Sequence, residues 1–150
     1  FFVGVVTVTK ISLINILIGF WVVFIASLAG FFLGAETKTA LTQSGASLLQ
    51  WKMILYKSAH AHCNLFGFLH ILMALTMPYS RCTLTLKKVQ TWGLSMGTVS
   101  MGALMIIRAN IEMNSRSEEI LGVIIGLGLS CALLSIGLHC VGLTYKLIRN

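Results

Sequence analysis

Four apolar stretches, each about as long as a membrane-spanning helix, constrain the fold of this chain more than any other feature. They cover residues 11–35, 59–77, 89–107 and 120–147. A helix that crosses a bilayer needs roughly 20 mostly apolar residues. With 57% hydrophobic and 10% charged residues, a chain of this length cannot also hold a soluble catalytic domain. We therefore expect a single all-α domain over residues 1–150, built as a four-helix antiparallel transmembrane bundle.

The start of the chain gives two further expectations. The first residue is Phe1 rather than Met, so we expect that an N-terminal piece is missing. The first apolar run is long enough to span a membrane. Gly34 and Ala35, the nearest thing to a small-residue cleavage site, lie at its far end. We therefore expect no cleavable signal peptide.

The net charge of +7 indicates anionic lipid headgroups rather than nucleic acid, because basic residues commonly flank transmembrane helices. The segment between the second and third stretches carries only basic charges, and so does the C-terminal tail. The positive-inside rule then places both termini in the cytoplasm, and His60 and His62 near the outer face. The residues that decide this orientation are Lys10, Arg81, Lys87, Lys88, Lys146 and Arg149.

Small and polar residues mark helix contacts in lipid because they allow backbones to approach closely. On three of the predicted helices such residues recur with helical periodicity and form one stripe. The stripes are Ser12, Asn15, Gly19, Ala26, Ser27, Gly30 and Gly34 on helix one; Gln90, Gly93, Gly97, Ser100 and Arg108 on helix three; and Gly128, Ala132, Ser135, His139, Gly142 and Lys146 on helix four. The stripes predict a mildly polar bundle interior.

The second stretch carries three of the four histidines. Ionisable groups inside a bilayer are costly and are therefore candidates for a functional site. Helical projection places His60, Cys63, Asn64, Gly67, His70 and Ala74 on one face. Gly67 leaves space there for a planar group or for a neighbouring helix. His62 projects nearly opposite, beside Phe66, Leu69 and Met73, so it lies either in a non-helical turn at the start of the helix or at headgroup level.

Imidazole is a suitable ligand for haem iron, copper or zinc. His60, His70 and His139 are candidate ligands, and a structural, hydrogen-bonded role stays open for each. Cys63 is a candidate soft ligand for copper. Pro78 predicts the end of helix two. The segment over residues 36–58 predicts either an interfacial helix or an outward extension of helix two.

The run His60-Ala61-His62-Cys63-Asn64-Leu65-Phe66-Gly67-Phe68 resembles the H-A-H-x-N-L-x-G-[WF] signature of small four-helix bacterial membrane proteins related to haem–copper (cytochrome c) oxidase subunit I. The resemblance implies haem or metal ligation, with haem b or copper as the cofactor, at His60, His62 and Asn64. It also implies a location in the bacterial inner membrane. Two histidines that these proteins often carry at the start of helix three are replaced here by Gln90 and Leu94.

Two functions follow as expectations. The first is a haem- or metal-binding redox accessory protein of a respiratory membrane, with a metal bound among His60, His62, His70 and Cys63, and with Asn64, Gly67 and His139 completing the site. The second is a non-catalytic structural subunit within a larger membrane complex or a homo-oligomer. No catalytic activity of its own is expected, because nucleotide-binding, hydrolase and metalloprotease motifs are absent and no acids are paired within the apolar stretches.

Overall fold

The computed structural model describes residues 9–42, 47–112 and 114–149, with side chains for 9–33, 50–112 and 114–149. This part of the chain contains four helices and no strand, which confirms the all-α prediction. Helix α1 covers Lys10–Thr42 and helix α2 covers Ser47–Thr76. Helix α3 is α-helical over Leu84–Val99, π-helical over Ser100–Leu104 and α-helical again over Met105–Ala109. Helix α4 covers Arg116–Ile148.

Helix α2 begins at Ser47, well before the residue 59 expected from hydropathy. Of the segment 36–58, residues 36–42 belong to α1, and residues 47–58 are an outward extension of helix two rather than a separate interfacial helix. This early part of α2 contributes to the core, since Leu55 and Ala59 are buried in it and Trp51 and Tyr56 pack against it. Gln50, Lys52 and Lys57 lie between these apolar positions and lower the local hydropathy. Hydropathy alone therefore predicts a later start for the helix than the structure has.

Local signals set the ends of the helices. Pro78 lies in a single 3-10 turn, Met77–Tyr79, that follows α2, as a proline after a helix predicts. The hydroxyl of Thr83 accepts a hydrogen bond from the Leu86 amide and begins α3. Ser115 caps α4 in the same way, through the Glu118 amide. These N-caps satisfy backbone donors that the first helical turn leaves unpaired.

Consecutive helices run in opposite directions, because early residues of one helix contact late residues of the next. The contacts that establish this are Asn15–His70 and Ala26–His60 between α1 and α2, His70–Thr98 and Tyr56–Asn110 between α2 and α3, and Gln90–His139 and Arg108–Glu118 between α3 and α4. Helices α2 and α4 are therefore parallel, and Thr76 of one meets His139 of the other.

The small and polar stripes face the bundle interior over most of their length. On α1 the residues Ser12, Asn15, Gly19 and Ala26 are buried, whereas Ser27 is exposed. Gly34 lies outside the described side chains. On α4 every member of the stripe from Gly128 to Gly142 is buried. Close approach of the backbones follows from these residues, as the pattern predicted.

The exterior of the bundle is strongly apolar. Three helical segments are long and apolar enough to cross a membrane, namely Lys10–Leu33, Gln50–Tyr79 and Arg116–Ile148. The α-helical parts of α3 are only 16 and 5 residues long, because the π segment separates them. Hydropathy predicted four spans, and α3 is not among these three segments of the described residues. It is the less apolar helix, because Lys87, Lys88, Gln90, Thr91, Ser95 and Arg108 lie along it.

Candidate functional site

His70 lies at the centre of the bundle with no exposed surface. Its Nδ1 is 2.7 Å from Oδ1 of Asn15 on α1, and its Nε2 is 3.3 Å from Oγ1 of Thr98 on α3. An amide oxygen only accepts hydrogen bonds, so Nδ1–H of the neutral ring donates and Nε2 accepts. The Thr98 hydroxyl hydrogen is shared between His70 and the carbonyl oxygen of Leu94. One imidazole thus links three helices.

Asn15 is itself fully paired in this network. Its amide nitrogen donates to Oγ1 of Thr91 at 2.7 Å and to the carbonyl oxygen of Ile11 at 3.0 Å. Its amide oxygen accepts from His70. A buried polar side chain in an apolar bundle is tolerated when its donors and acceptor are matched in this way.

His139 on α4 repeats the arrangement with different partners. Its Nε2 is 2.7 Å from Oγ1 of Thr76 on α2, and its Nδ1 is 3.3 Å from Oε1 of Gln90 on α3. The ring is 6% exposed. Both buried histidines therefore lie between a side-chain amide oxygen and a threonine hydroxyl from two other helices. We call the sets Asn15–His70–Thr98 and Gln90–His139–Thr76 the two histidine triads.

His60 and Asn64 lie one turn apart on α2, as predicted, and both are half-buried. Nδ1 of His60 donates to the carbonyl oxygen of Ala26 on α1, at 2.9 Å. The amide nitrogen of Asn64 lies 3.4 Å from Nε2 of His60 and 3.1 Å from its carbonyl oxygen. Asn64 thus contacts the imidazole of His60, and both ring nitrogens of His60 have protein partners.

His62 is inside α2 rather than in a non-helical turn. Its Nδ1 is 2.8 Å from the carbonyl oxygen of Ser58, one turn earlier, and the ring is partly exposed. Its Nε2 makes no hydrogen bond to the described residues. Phe66 and Met73, which share its side of α2, are buried. That side of α2 is therefore a second packing face, on which Phe66 lies beside Gly97 of α3, and Gly97 in turn faces Ala132 of α4.

The space beside Gly67 is occupied by α1. A Cβ at Gly67 would lie 2.6 Å from Cγ2 of Val23 and 3.0 Å from the carbonyl oxygen of Gly19. Of the two possibilities left open by the sequence, the neighbouring helix fills this face and a planar group does not. Cys63, on the same side of α2, turns its sulfur toward Gly102 of the π segment.

The residues present do not form a haem or metal site in this arrangement. A metal ligand needs a ring nitrogen with its lone pair directed at the metal, yet both nitrogens of His60, His70 and His139 are engaged by protein. The described residues contain no group of three or more His, Cys, Asp or Glu side chains able to hold a metal ion. Within the described part of the chain, His62 is the one histidine with a ring nitrogen that has no protein partner. Ligation by His60, His62 and Asn64 stays a prediction of the resemblance.

One buried polar contact was not anticipated from the sequence. Arg108, near the end of α3, forms a salt bridge with Glu118 in the first turn of α4, with Nε 2.6 Å from the carboxylate oxygen. The Glu118 side chain is only 8% exposed, and the Arg108 guanidinium lies over the Trp51 ring at 5.6 Å. Glu118 lies outside the predicted stretch 120–147, whereas α4 begins at Arg116 and includes it. The clue was Ser115 followed three residues later by Glu118, which is typical of a capped helix start.

Comparisons with protein-family models, curated proteins and solved structures find no match to this chain. The class of the protein therefore rests on its own features. Over the described residues it is an all-helical bundle with three helices that are long and apolar enough to span a membrane.

Proposed function

We propose that this protein is a small integral membrane protein that serves as a non-catalytic structural subunit of a larger membrane complex. The observation that carries the proposal is the pair of histidine triads. His70 and His139, two buried ionisable groups on the helical spans, use both ring nitrogens to hold three helices each. The hydrogen bonds of these histidines therefore stabilise helix packing, and they do not engage a bound substrate.

The surface supports a location in the bilayer. Large apolar side chains cover the outside of α1 and α4, where each is more than half exposed: Leu17, Phe20, Trp21, Phe24, Phe31, Val123, Leu127, Leu134 and Val141. In water such a continuous apolar exterior would drive aggregation, whereas in lipid it is solvated. The basic turn between α2 and α3 supports a cytoplasmic position for both termini. The location in a bacterial inner membrane follows from the resemblance of the histidine motif.

The outer face of α4 supports contact with another membrane helix. Gly126, Ser130 and Gly137 lie on this face and are exposed, and nothing lies within 4 Å of a Cβ built at either glycine. Small residues on an outward face allow a neighbouring helix to approach closely. This face is where we expect the larger complex, or a second copy of the chain, to pack.

A second candidate function is a haem- or metal-binding redox accessory protein. The observation that favours it is His62, whose Nε2 has no protein partner and which belongs to the histidine motif. In that case a cofactor would bind through His62 on the α2 surface, and a further ligand would come from a partner protein.

One preparation tests both candidates. The protein is extracted from its native membrane in a mild detergent, and its native size, optical spectrum and metal content are measured. The structural role predicts migration with a larger assembly, no Soret band and no stoichiometric metal. Gly137→Leu should release the protein from the assembly, whereas the matched Ala61→Leu on the exposed side of α2 should not. A Soret band or bound metal that His62→Ala abolishes would instead establish the redox accessory role.

A further inference from the structure

A cavity of about 330 Å³ lies between α1, α2 and the π segment of α3. Small residues form its floor and sides, among them Ala26 and Ala29 on α1, Ala59 on α2, and Gly102 and Ala103 on α3. An engineered apolar cavity of only about 150 Å³ binds benzene. The space here is therefore large enough for a substantial apolar ligand.

The polar groups in the walls are already paired within the protein. The Thr98 hydroxyl bonds Leu94 and His70, and His60 bonds Ala26 and Asn64. The Tyr56 hydroxyl is paired with Asn110. A buried water needs two to four polar partners, and the hydroxyls and the imidazole that line the cavity are already engaged within the described residues. The cavity therefore suits an apolar occupant rather than water or a polar ligand.

The length of the cavity matches one leaflet of a bilayer. On α1 its lining extends from Val22 to Leu33, which is about 16 Å at 1.5 Å per residue. The hydrocarbon core of a membrane is about 30 Å thick, so one leaflet contributes about half of this. The inner end of the cavity is at Thr98, beside the central His70, and the outer end is at Tyr56, toward the start of α2.

The cavity is open on its side rather than sealed. Ile25 and Phe32 of α1 and Val99 and Ile106 of α3 line it, and all four are also exposed on the outside of the bundle. Through an apolar rim of this kind an acyl chain can enter from the surrounding lipid. The charged headgroup of that lipid does not have to cross the opening.

We propose that this groove binds one acyl chain of a bilayer phospholipid, from the leaflet on the side of the α1–α2 connection. The proposal rests on the membrane location given under the proposed function, but not on the structural-subunit role. The chain fills the cavity from Tyr56 to Thr98, and it completes the packing between α1 and α3 that their small residues leave open.

Cys63 provides a native probe because its side chain lines the cavity. The protein is purified in a steroidal detergent, which has no flexible alkyl tail, and is depleted of lipid. Alkylation by N-ethylmaleimide is followed at Cys63 and at the exposed Cys140 by peptide mass spectrometry. Adding a palmitoyl-oleoyl phospholipid should slow alkylation of Cys63 severalfold and leave Cys140 unchanged. Glycerophosphocholine, which has the headgroup without the chains, should protect neither cysteine.

Variants that fill the groove complete the test. Ala29 and Ala103 line the cavity and are also exposed, so Ala29→Leu/Ala103→Leu adds bulk without displacing a buried neighbour. In a separate preparation that is not depleted of lipid, native mass spectrometry should find one retained phospholipid on the wild type and on the matched control Ala61→Leu, and none on the double variant. Cys63 of the double variant should react slowly with or without lipid.

Three results would overturn the proposal: equal lipid retention by wild type and double variant, Cys63 alkylation that lipid does not slow, or protection by a long-chain isoprenoid alcohol but not by phospholipid. None of them would change the native size of the complex, so failure here is distinguishable from failure of the structural role. Purification of the chain without any detergent would instead remove the membrane location on which both proposals depend.

Discussion

At the scale of single residues, the two histidine triads show how an imidazole is kept inside an apolar bundle. A neutral ring has one donor and one acceptor, and each triad supplies one amide oxygen and one threonine hydroxyl. Leaving either nitrogen unpaired in hydrocarbon would cost free energy. These hydrogen bonds therefore favour one set of neighbours for α2 and for α4. They also favour one position of each histidine along the axis of the bundle.

Replacing His70 with leucine should lower the thermal unfolding temperature in detergent. The change leaves the buried Asn15 oxygen without its donor, and an unsatisfied buried group costs about 1–3 kcal/mol. His62→Leu, at a partly exposed position, should change the unfolding temperature little. Asn15→Leu/His70→Leu should recover part of the loss, because it removes both partners. Full additivity of the two single changes would contradict the pairing.

The inward direction of His70 and His139 could be predicted from the sequence, but their partners could not. Helical periodicity gives the face on which a residue lies, and both histidines share a face with glycines and alanines. Which amide or hydroxyl contacts each ring depends on how far neighbouring helices are shifted along their axes. The periodicity of a single helix does not determine that shift. Of the two predictions for His62, the non-helical turn is wrong, because His62 lies inside α2; a position at headgroup level stays a prediction.

At the scale of elements, glycine determines how closely α1 and α2 approach each other. Gly67→Ala should destabilise the bundle, because the added methyl overlaps Val23 and the Gly19 carbonyl, and overpacking costs about 1–3 kcal/mol. Gly126→Ala is the matched control, since its added methyl meets nothing within 4 Å. Thermal unfolding of both variants in the same detergent decides the matter. Equal unfolding temperatures for the two would show that α1 does not depend on Gly67.

The α3–α4 pair has an electrostatic contact at its end. Arg108→Gln should lower the unfolding temperature, since it leaves the buried Glu118 carboxylate unpaired, and breaking a buried pair costs about 3–5 kcal/mol. Because Arg108 is 24% exposed, we expect the lower part of that range or less. Arg108→Gln/Glu118→Gln should be more stable than Arg108→Gln alone. A double variant less stable than the single one would show that the ion pair is not the source of the effect.

At the scale of the whole molecule, four alternating helices place the α2–α3 turn and the C-terminal end together, opposite the α3–α4 turn. In a background without other reactive cysteines, Leu84→Cys and Arg149→Cys should be labelled from one side of a sealed vesicle by an impermeant maleimide. Ser117→Cys should be labelled from the other side. All three positions are exposed. Labelling of Leu84→Cys and Ser117→Cys from the same side would rule out a membrane-crossing α3.

The all-helical architecture could be predicted from the sequence, because four long apolar stretches separated by charged or turn-forming residues indicate four helices. The bounds could not be predicted equally well. Trp51 and Tyr56 lie in α2 and pack against the buried core, whereas hydropathy scores each residue without its neighbours. The Arg108–Glu118 pair was missed for a similar reason, since charges near a turn are usually solvated.

The π segment of α3 has a consequence for the tolerance of the chain to deletion. A π turn closes its hydrogen bonds over five residues instead of four, so Ser100–Leu104 contains one amino acid more than the same length of α-helix. Deleting Ala103 should therefore produce a continuous α-helix in which Arg108 still meets Glu118. Deleting the exposed Trp92 should instead rotate all later residues by about 100° and abolish the fold, as circular dichroism melting can measure. The π segment of α3 therefore contains one residue more than an α-helix needs. Deleting Ala103 should leave folding unchanged, and it should close the groove beside Cys63.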